Sequence, residues 1–116
     1  MRVKNKLGEK YQPVVQRLER VLNSILLLRL LPITLEVCEG PPGMDGQCVW
    51  KLFFFRVPRV FRHALEDHSF EELVHISLHE IAHALDLVTL SQAKREAHAD
   101  RFSAWIMKQL RKKQLL

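Results

Sequence analysis

Residues 77–86 read SLHEIAHALD, with His79 and His83 four positions apart and Glu80 directly after the first. Around them, Val74, Leu78, Ile81, Leu85 and Val88 recur at alternating spacings of four and three, which is the apolar stripe of an amphipathic helix. That stripe supplies a core face by itself. His79 and His83 fall on the opposite side, with Glu72, Ile76 and Asp86, so the two imidazoles are not needed to fill the core. Ser69 with Glu72 fits a capping box, and Glu71 adds favourable negative charge to the first turn. The helix is expected to run from Ser69 to about Val88.

Histidines one helical turn apart can aim two nitrogens at a single point. Zinc takes nitrogen and oxygen ligands at about 2 Å, and an i, i+4 pair on a rigid helix supplies two of them without strain. Glu80 projects about a quarter-turn away. It is placed to take a proton from a water activated by the metal and to pass it on. The competing reading, two ordinary helix histidines, has to treat the central glutamate and the clean opposite stripe as coincidence. One bound Zn²⁺ is the expectation.

Two histidines do not hold catalytic zinc, so a third protein ligand must come from elsewhere. The segment KREAHADRFSAW, residues 94–105, offers Glu96 and His98. Glu96 is preferred. It flanks the core face formed by Phe102, Ile106 and Leu110, and Ala99 permits close approach of two helices. Asp100, one turn after Glu96, is expected to hold the far nitrogen of one of the zinc histidines. His98 is the alternative ligand. Taken alone, Glu96 reads as a first-turn helix charge, His98 as a half-exposed histidine and Asp100 as a surface ion-pair partner.

HEIAH followed by EAHADRFSA resembles the gluzincin group of zinc peptidases, in which an HExxH helix is completed by a glutamate from an E-x-x-x-D helix. The matching positions are Glu96, Ala99, Asp100 and Phe102, with Ser103 where alanine is usual. The small size resembles the minigluzincins and the peptidase core of ImmA/IrrE-like proteins. The likeness covers roughly residues 69–107. It implies a small zinc metallopeptidase with His79, His83 and Glu96 as ligands, Glu80 as general base and Asp100 behind a histidine. It also implies a peptide substrate lying antiparallel to an edge strand. His98 and Phe102 are similar to the third-histidine setting of SprT/Spartan-like peptidases, which act near DNA, but Ala99 replaces the glycine of that pattern. A zinc-binding module with a latent or regulatory role is the other alternative. His63, His68, His75 and Tyr11 are candidates for stabilising an oxyanion, with nothing to separate them.

The remainder of the 116-residue chain is expected to form one α+β domain, a minimal zincin-like unit over residues 1–116. Apolar spacing from Val14 to Leu28 predicts a helix over residues 8–30, stopped by Pro32. ITLEV (33–37) reads as a strand, GPPGMDG as a turn and QCVWKLFFF (47–55) as a second strand forming a hairpin with the first. VPRVFRHALEDH reads as irregular or a short helix. Ser91 caps a final helix from Gln92 towards Lys112. Cys38 and Cys48, the only cysteines, would face each other across that hairpin, and are expected to be packed thiols rather than a bridge.

The net charge is +5, with basic residues gathered at both ends. This reads as solvated termini rather than a nucleic-acid footprint, so nucleic acid is a possible but not favoured partner. The segment ILLLRLLPI is too short to span a bilayer. The charged start has no signal-peptide pattern, so the expected location is cytoplasmic. No feature of the sequence fixes the oligomeric state.

Overall fold

The computed structural model describes residues 1–51, 55–86 and 91–116, and the side chains of all of these except Trp50, Lys51 and Phe55. Strand β1 (Arg2–Asn5) leads through a short 3₁₀ turn, Glu9–Tyr11, into helix α1 (Gln12–Asn23) and the single-turn helix α2 (Leu26–Arg29). Strands β2 (Thr34–Cys38), β3 (Gly46–Lys51) and β4 (Phe55–Phe61) follow, and then helices α3 (Arg62–Asp67), α4 (Phe70–Leu85) and α5 (Gln92–Lys112). The α+β class expected from the sequence is the one found. No described helix is long and apolar enough to cross a membrane.

The four strands form one sheet in the order β1-β2-β4-β3. β1 and β4 run parallel to β2, whereas β3 runs antiparallel to β4. This corrects the expected hairpin. ITLEV and QCVWKLFFF are not neighbours, because β4 lies between them and is itself the partner of β3. Cys38 and Cys48 therefore do not face each other, and both are free thiols. Residues Leu52–Phe54, expected to be part of the second strand, lie outside the described residues.

The strand β4 was hidden by Pro58, which argues against an interior strand. The β2–β4 ladder pairs Glu36–Cys38 with Arg59–Phe61 and so begins only after the proline. Opposite Cys48 on β3, Pro58 is tolerated because the missing N–H interrupts no pairing with β2. β1 was also unexpected. Its RVKN sequence offers one large apolar residue, Val3, and its lysine and arginine are suited to an edge strand.

The expected helix over residues 8–30 is broken in two. Ser24 Oγ donates to the Val21 carbonyl at 2.5 Å, and Ile25 takes an extended conformation (φ −91°, ψ 119°) before α2 begins. Asn23 Nδ2 donates to the carbonyls of Met1 and Glu19, tying the end of α1 to the start of β1.

A common core then closes. Leu18 and Leu22 of α1, Leu35 and Val60 of the sheet, Leu73, Val74, Leu78 and Ile81 of α4, and Ile106 and Leu110 of α5 are all at most 2% exposed. Burying each such side chain contributes about 1.5–3 kcal/mol before conformational entropy is set against it. Alternation puts Glu36 on the other face of β2. It is buried there between Lys6 Nζ at 2.7 Å and Arg59 Nε at 3.2 Å. The result places α4 across β4 and β3, with α5 packed along its outer flank.

Candidate metal centre

The N-terminus of α4 forms as its sequence dictates: Ser69 Oγ accepts from Glu72 N at 3.2 Å. The reciprocal half of the capping box is absent, because the Glu72 carboxylate instead accepts from Ser69 Oγ and meets His68 Nδ1. Val74, Leu78 and Ile81 are fully buried, as the stripe requires. The stripe ends earlier than expected. Leu85 is 38% exposed, the helix stops there with Asp86 as C-cap, and Val88 lies outside the described residues.

On the opposite flank His79 and His83 turn towards α5. Their Nε2 atoms are 3.1 Å apart, with the rings edge-to-face at 82°. Glu96, one turn into α5, places Oε1 3.1 Å from His83 Nε2 and Oε2 3.3 Å from His79 Nε2. Fully buried Ala99 and Ser103 keep that side of α5 small. Two ligands about 2.0–2.1 Å from a tetrahedral ion stand roughly 3.3 Å from each other, and the nitrogen–nitrogen contact and the two nitrogen–carboxylate contacts, one to each Glu96 oxygen, are of that size. His79, Glu80 and His83 also form a group whose ligand atoms lie within 4.8 Å of one another and could hold a metal ion.

Glu80 differs from Glu96 in its surroundings. It is buried at 9% exposure, whereas the Glu96 side chain is 44% exposed. Burial pushes the Glu80 carboxyl up to about 7; His83 pulls it down and Glu96 pushes it further up. A glutamate in this condition both accepts and returns a proton near neutral pH. Its neighbour is Gly46, the first residue of β3. A Cβ at Gly46 would come 2.8 Å from the Arg59 carbonyl oxygen and 3.1 Å from Glu80 Cγ, so only glycine lets strand and carboxylate approach this closely.

Two cavities meet at Gly46 and Glu80. One, of about 320 Å³, is walled by Cys48, Arg56, His83 and Glu96. The other, of about 360 Å³, is walled by Asp45, His75, His79 and Asp100. Together they form a cleft between the edge strand β3 and helix α5. Burial pushes the Cys48 thiol in the first cavity up to about 11, with the Glu80 charge adding to the rise.

Of the residues singled out in the sequence, His79, Glu80, His83 and Glu96 are brought together. Asp100 stands near, with Oδ1 3.6 Å from His79 Nδ1, but its side chain is 72% exposed and the contact is longer than a hydrogen bond. His98 meets a different side chain. Its Nδ1 lies 2.6 Å from Asp86 Oδ1. Tyr11 donates its hydroxyl to Glu66, away from the cleft, and His63 and His68 gather around Asp45. His75 borders the second cavity.

Sequence reasoning missed three residues. Asp86, its side chain fully buried, sets Oδ2 3.1 Å from His83 Nδ1 and so backs that ring. Its position three residues after His83, at a helix end, was the available signal. Arg56 Nη1 donates to the His83 carbonyl at 2.7 Å, holding the last turn of α4 from β4. In the sequence Gly46 reads only as part of the turn GPPGMDG. Comparison with protein-family models, with curated proteins and with solved structures finds no match for this chain.

Proposed function

We propose that this chain is a small zinc-dependent peptidase, its ion held by His79, His83 and Glu96. The observation that carries the reading is the convergence of His79 Nε2, His83 Nε2 and the Glu96 carboxylate within 3.1–3.3 Å, beside a buried glutamate poised near neutrality. The sequence likeness to gluzincins supports the same assignment. Bound there, zinc polarises a peptide carbonyl and lowers the pKa of water.

The chain's own residues supply the remaining work. Glu80 takes the proton from the attacking water and returns it to the leaving amine. Asp86 fixes the His83 ring with Nε2 towards His79 and Glu96, where it would serve as a ligand, and Asp100 stands behind His79 more loosely. β3 is an edge strand bordering the cleft, so an extended peptide can add to it through main-chain hydrogen bonds and pass Glu80 and Gly46.

The SprT/Spartan-like alternative, with His98 as third ligand, lacks a contact of the kind Glu96 makes: the Glu96 carboxylate lies within 3.1–3.3 Å of both histidine Nε2 atoms, whereas the described contact of the His98 ring is Nδ1 to Asp86. Zinc content and cleavage of an unfolded protein such as casein test the proposal. The wild type is expected to hold zinc and cleave, and Glu96→Ala to lose both. Zinc retention in Glu96→Ala together with its loss in His98→Ala would transfer the assignment to the alternative.

A further inference from the structure

Among the described residues a second cluster, Asp45, His63 and His68, has ligand atoms within 4.8 Å of one another. Asp45 immediately precedes β3, His63 lies in α3 and His68 is the C-cap of α3. His63 Nδ1 is 2.6 Å from Asp45 Oδ1, while His68 Nε2 is 2.9 Å from Oδ2 and 3.0 Å from Oδ1. Each ring is also backed from outside. His63 Nε2 meets Asp67 Oδ2 at 2.9 Å, and His68 Nδ1 meets Glu72 Oε2 at 2.8 Å. Metal-bound histidines have the same arrangement, with the far N–H given to a carboxylate that fixes the tautomer.

A neutral imidazole has one N–H and one lone pair, and an ionised carboxylate only accepts. Each ring here faces a carboxylate at both nitrogens. Once the outer N–H serves Asp67 or Glu72, the inner nitrogen turns a lone pair towards Asp45, another acceptor. A cation belongs between them: either a second proton on the ring, which makes it an imidazolium donating to both carboxylates, or a metal ion shared with Asp45. Three carboxylates against two imidazoles also leave an excess of negative charge, which a divalent ion neutralises. The inner side chains of Asp45, His63 and His68 are 34%, 36% and 26% exposed, open enough for an ion to enter from solvent.

We propose that Asp45, His63 and His68 hold a second divalent ion, separate from the one assigned to His79, His83 and Glu96. Two imidazoles and a carboxylate suit Zn²⁺. The ion is a support. Asp45 adjoins Gly46, where an added Cβ would meet Glu80 Cγ at 3.1 Å, and the Asp45 carbonyl accepts from Phe61 N at 2.8 Å. Fixing the Asp45 side chain to α3 thus pins the start of β3 against the cleft.

Zn²⁺ titration of the metal-stripped 116-residue chain, by calorimetry and native mass spectrometry, tests this. Two ions are expected for the wild type and one for His79→Ala/His83→Ala. In that background His63→Ala/His68→Ala should abolish the remaining ion, and Asp67→Asn should weaken it by roughly 10–100-fold. The proposal is overturned if His79→Ala/His83→Ala binds no zinc, or if its ion survives loss of His63 and His68. Should a double variant fail to fold by circular dichroism, Asp45→Asn in the otherwise unaltered chain decides. A fall from two ions to one supports the site and an unchanged count removes it. A chain that binds zinc at Asp45 but not at His79 would sink the peptidase reading and leave this one standing.

Discussion

Asp86 Oδ2 stands 3.1 Å from His83 Nδ1, on the side of the ring turned away from His79 and Glu96. The carboxylate is fully buried, and its other oxygen takes His98 Nδ1 at 2.6 Å. One side chain at the end of α4 therefore orients a proposed ligand and fastens α4 to α5. Replacing it with alanine frees the ring to rotate. Asp86→Ala is expected to lower zinc affinity roughly 10–100-fold, by competition with a chromogenic chelator, and His98→Ala to lower it less. Equal affinity in wild type and Asp86→Ala would remove Asp86 from the site.

Glu80 and Glu96 are chemically identical residues given different tasks by burial. Glu80→Gln keeps the shape and removes the proton acceptor. Zinc content should be unchanged while turnover falls by about 10²–10⁴-fold with little change in KM, measured on a fluorogenic peptide. Loss of zinc together with activity would make Glu80 a ligand instead of a base.

At Gly46 the sheet runs close to the Glu80 side chain. In Gly46→Ala the new methyl meets a backbone oxygen at 2.8 Å, which cannot swing aside, and Glu80 Cγ at 3.1 Å. A destabilisation of about 1–3 kcal/mol in urea unfolding is expected, with loss of turnover exceeding what the unfolded fraction explains. Wild-type stability and rate would show that β3 and α4 part easily.

Cys48 borders the same cleft and its thiol is pushed up to about 11 by burial, against an ordinary value of 9.0. At pH 8.5 its thiolate fraction, and so its alkylation by iodoacetamide, should be about 100-fold below that in urea-unfolded protein. The sign of the linked stability follows: the folded state holds a proton that the unfolded state releases, so this contribution is intact below pH 9 and is lost as pH rises from 9 towards 11. Peptide mapping after timed alkylation reads the protection directly, and equal rates folded and unfolded would contradict it.

The α4 core face, the Ser69 cap, the i, i+4 histidine pair and the start of α5 at Gln92 were all legible in the sequence, because each depends on residues within a turn or two of one another. The four residues gathered at the candidate centre, His79, Glu80, His83 and Glu96, were named from spacing and a family likeness for the same reason: two helices each display their polar side chains at fixed local intervals. The partner of each strand was not legible. RVKN and VPRVF carry too little alternation to announce a strand, and the choice of β4 over β2 as the neighbour of β3 is made by long-range pairing that no local spacing records. Glu96 is already preferred to His98 in the sequence, and what the tertiary structure adds is the placement of each: Glu96 beside both histidine Nε2 atoms, His98 against Asp86. The tertiary structure alone brought Asp86, Arg56 and Gly46 to the cleft, and gathered Asp45, His63 and His68. These are groups whose roles come from burial and proximity in space, while the sequence determines which chemistry each can offer once placed there.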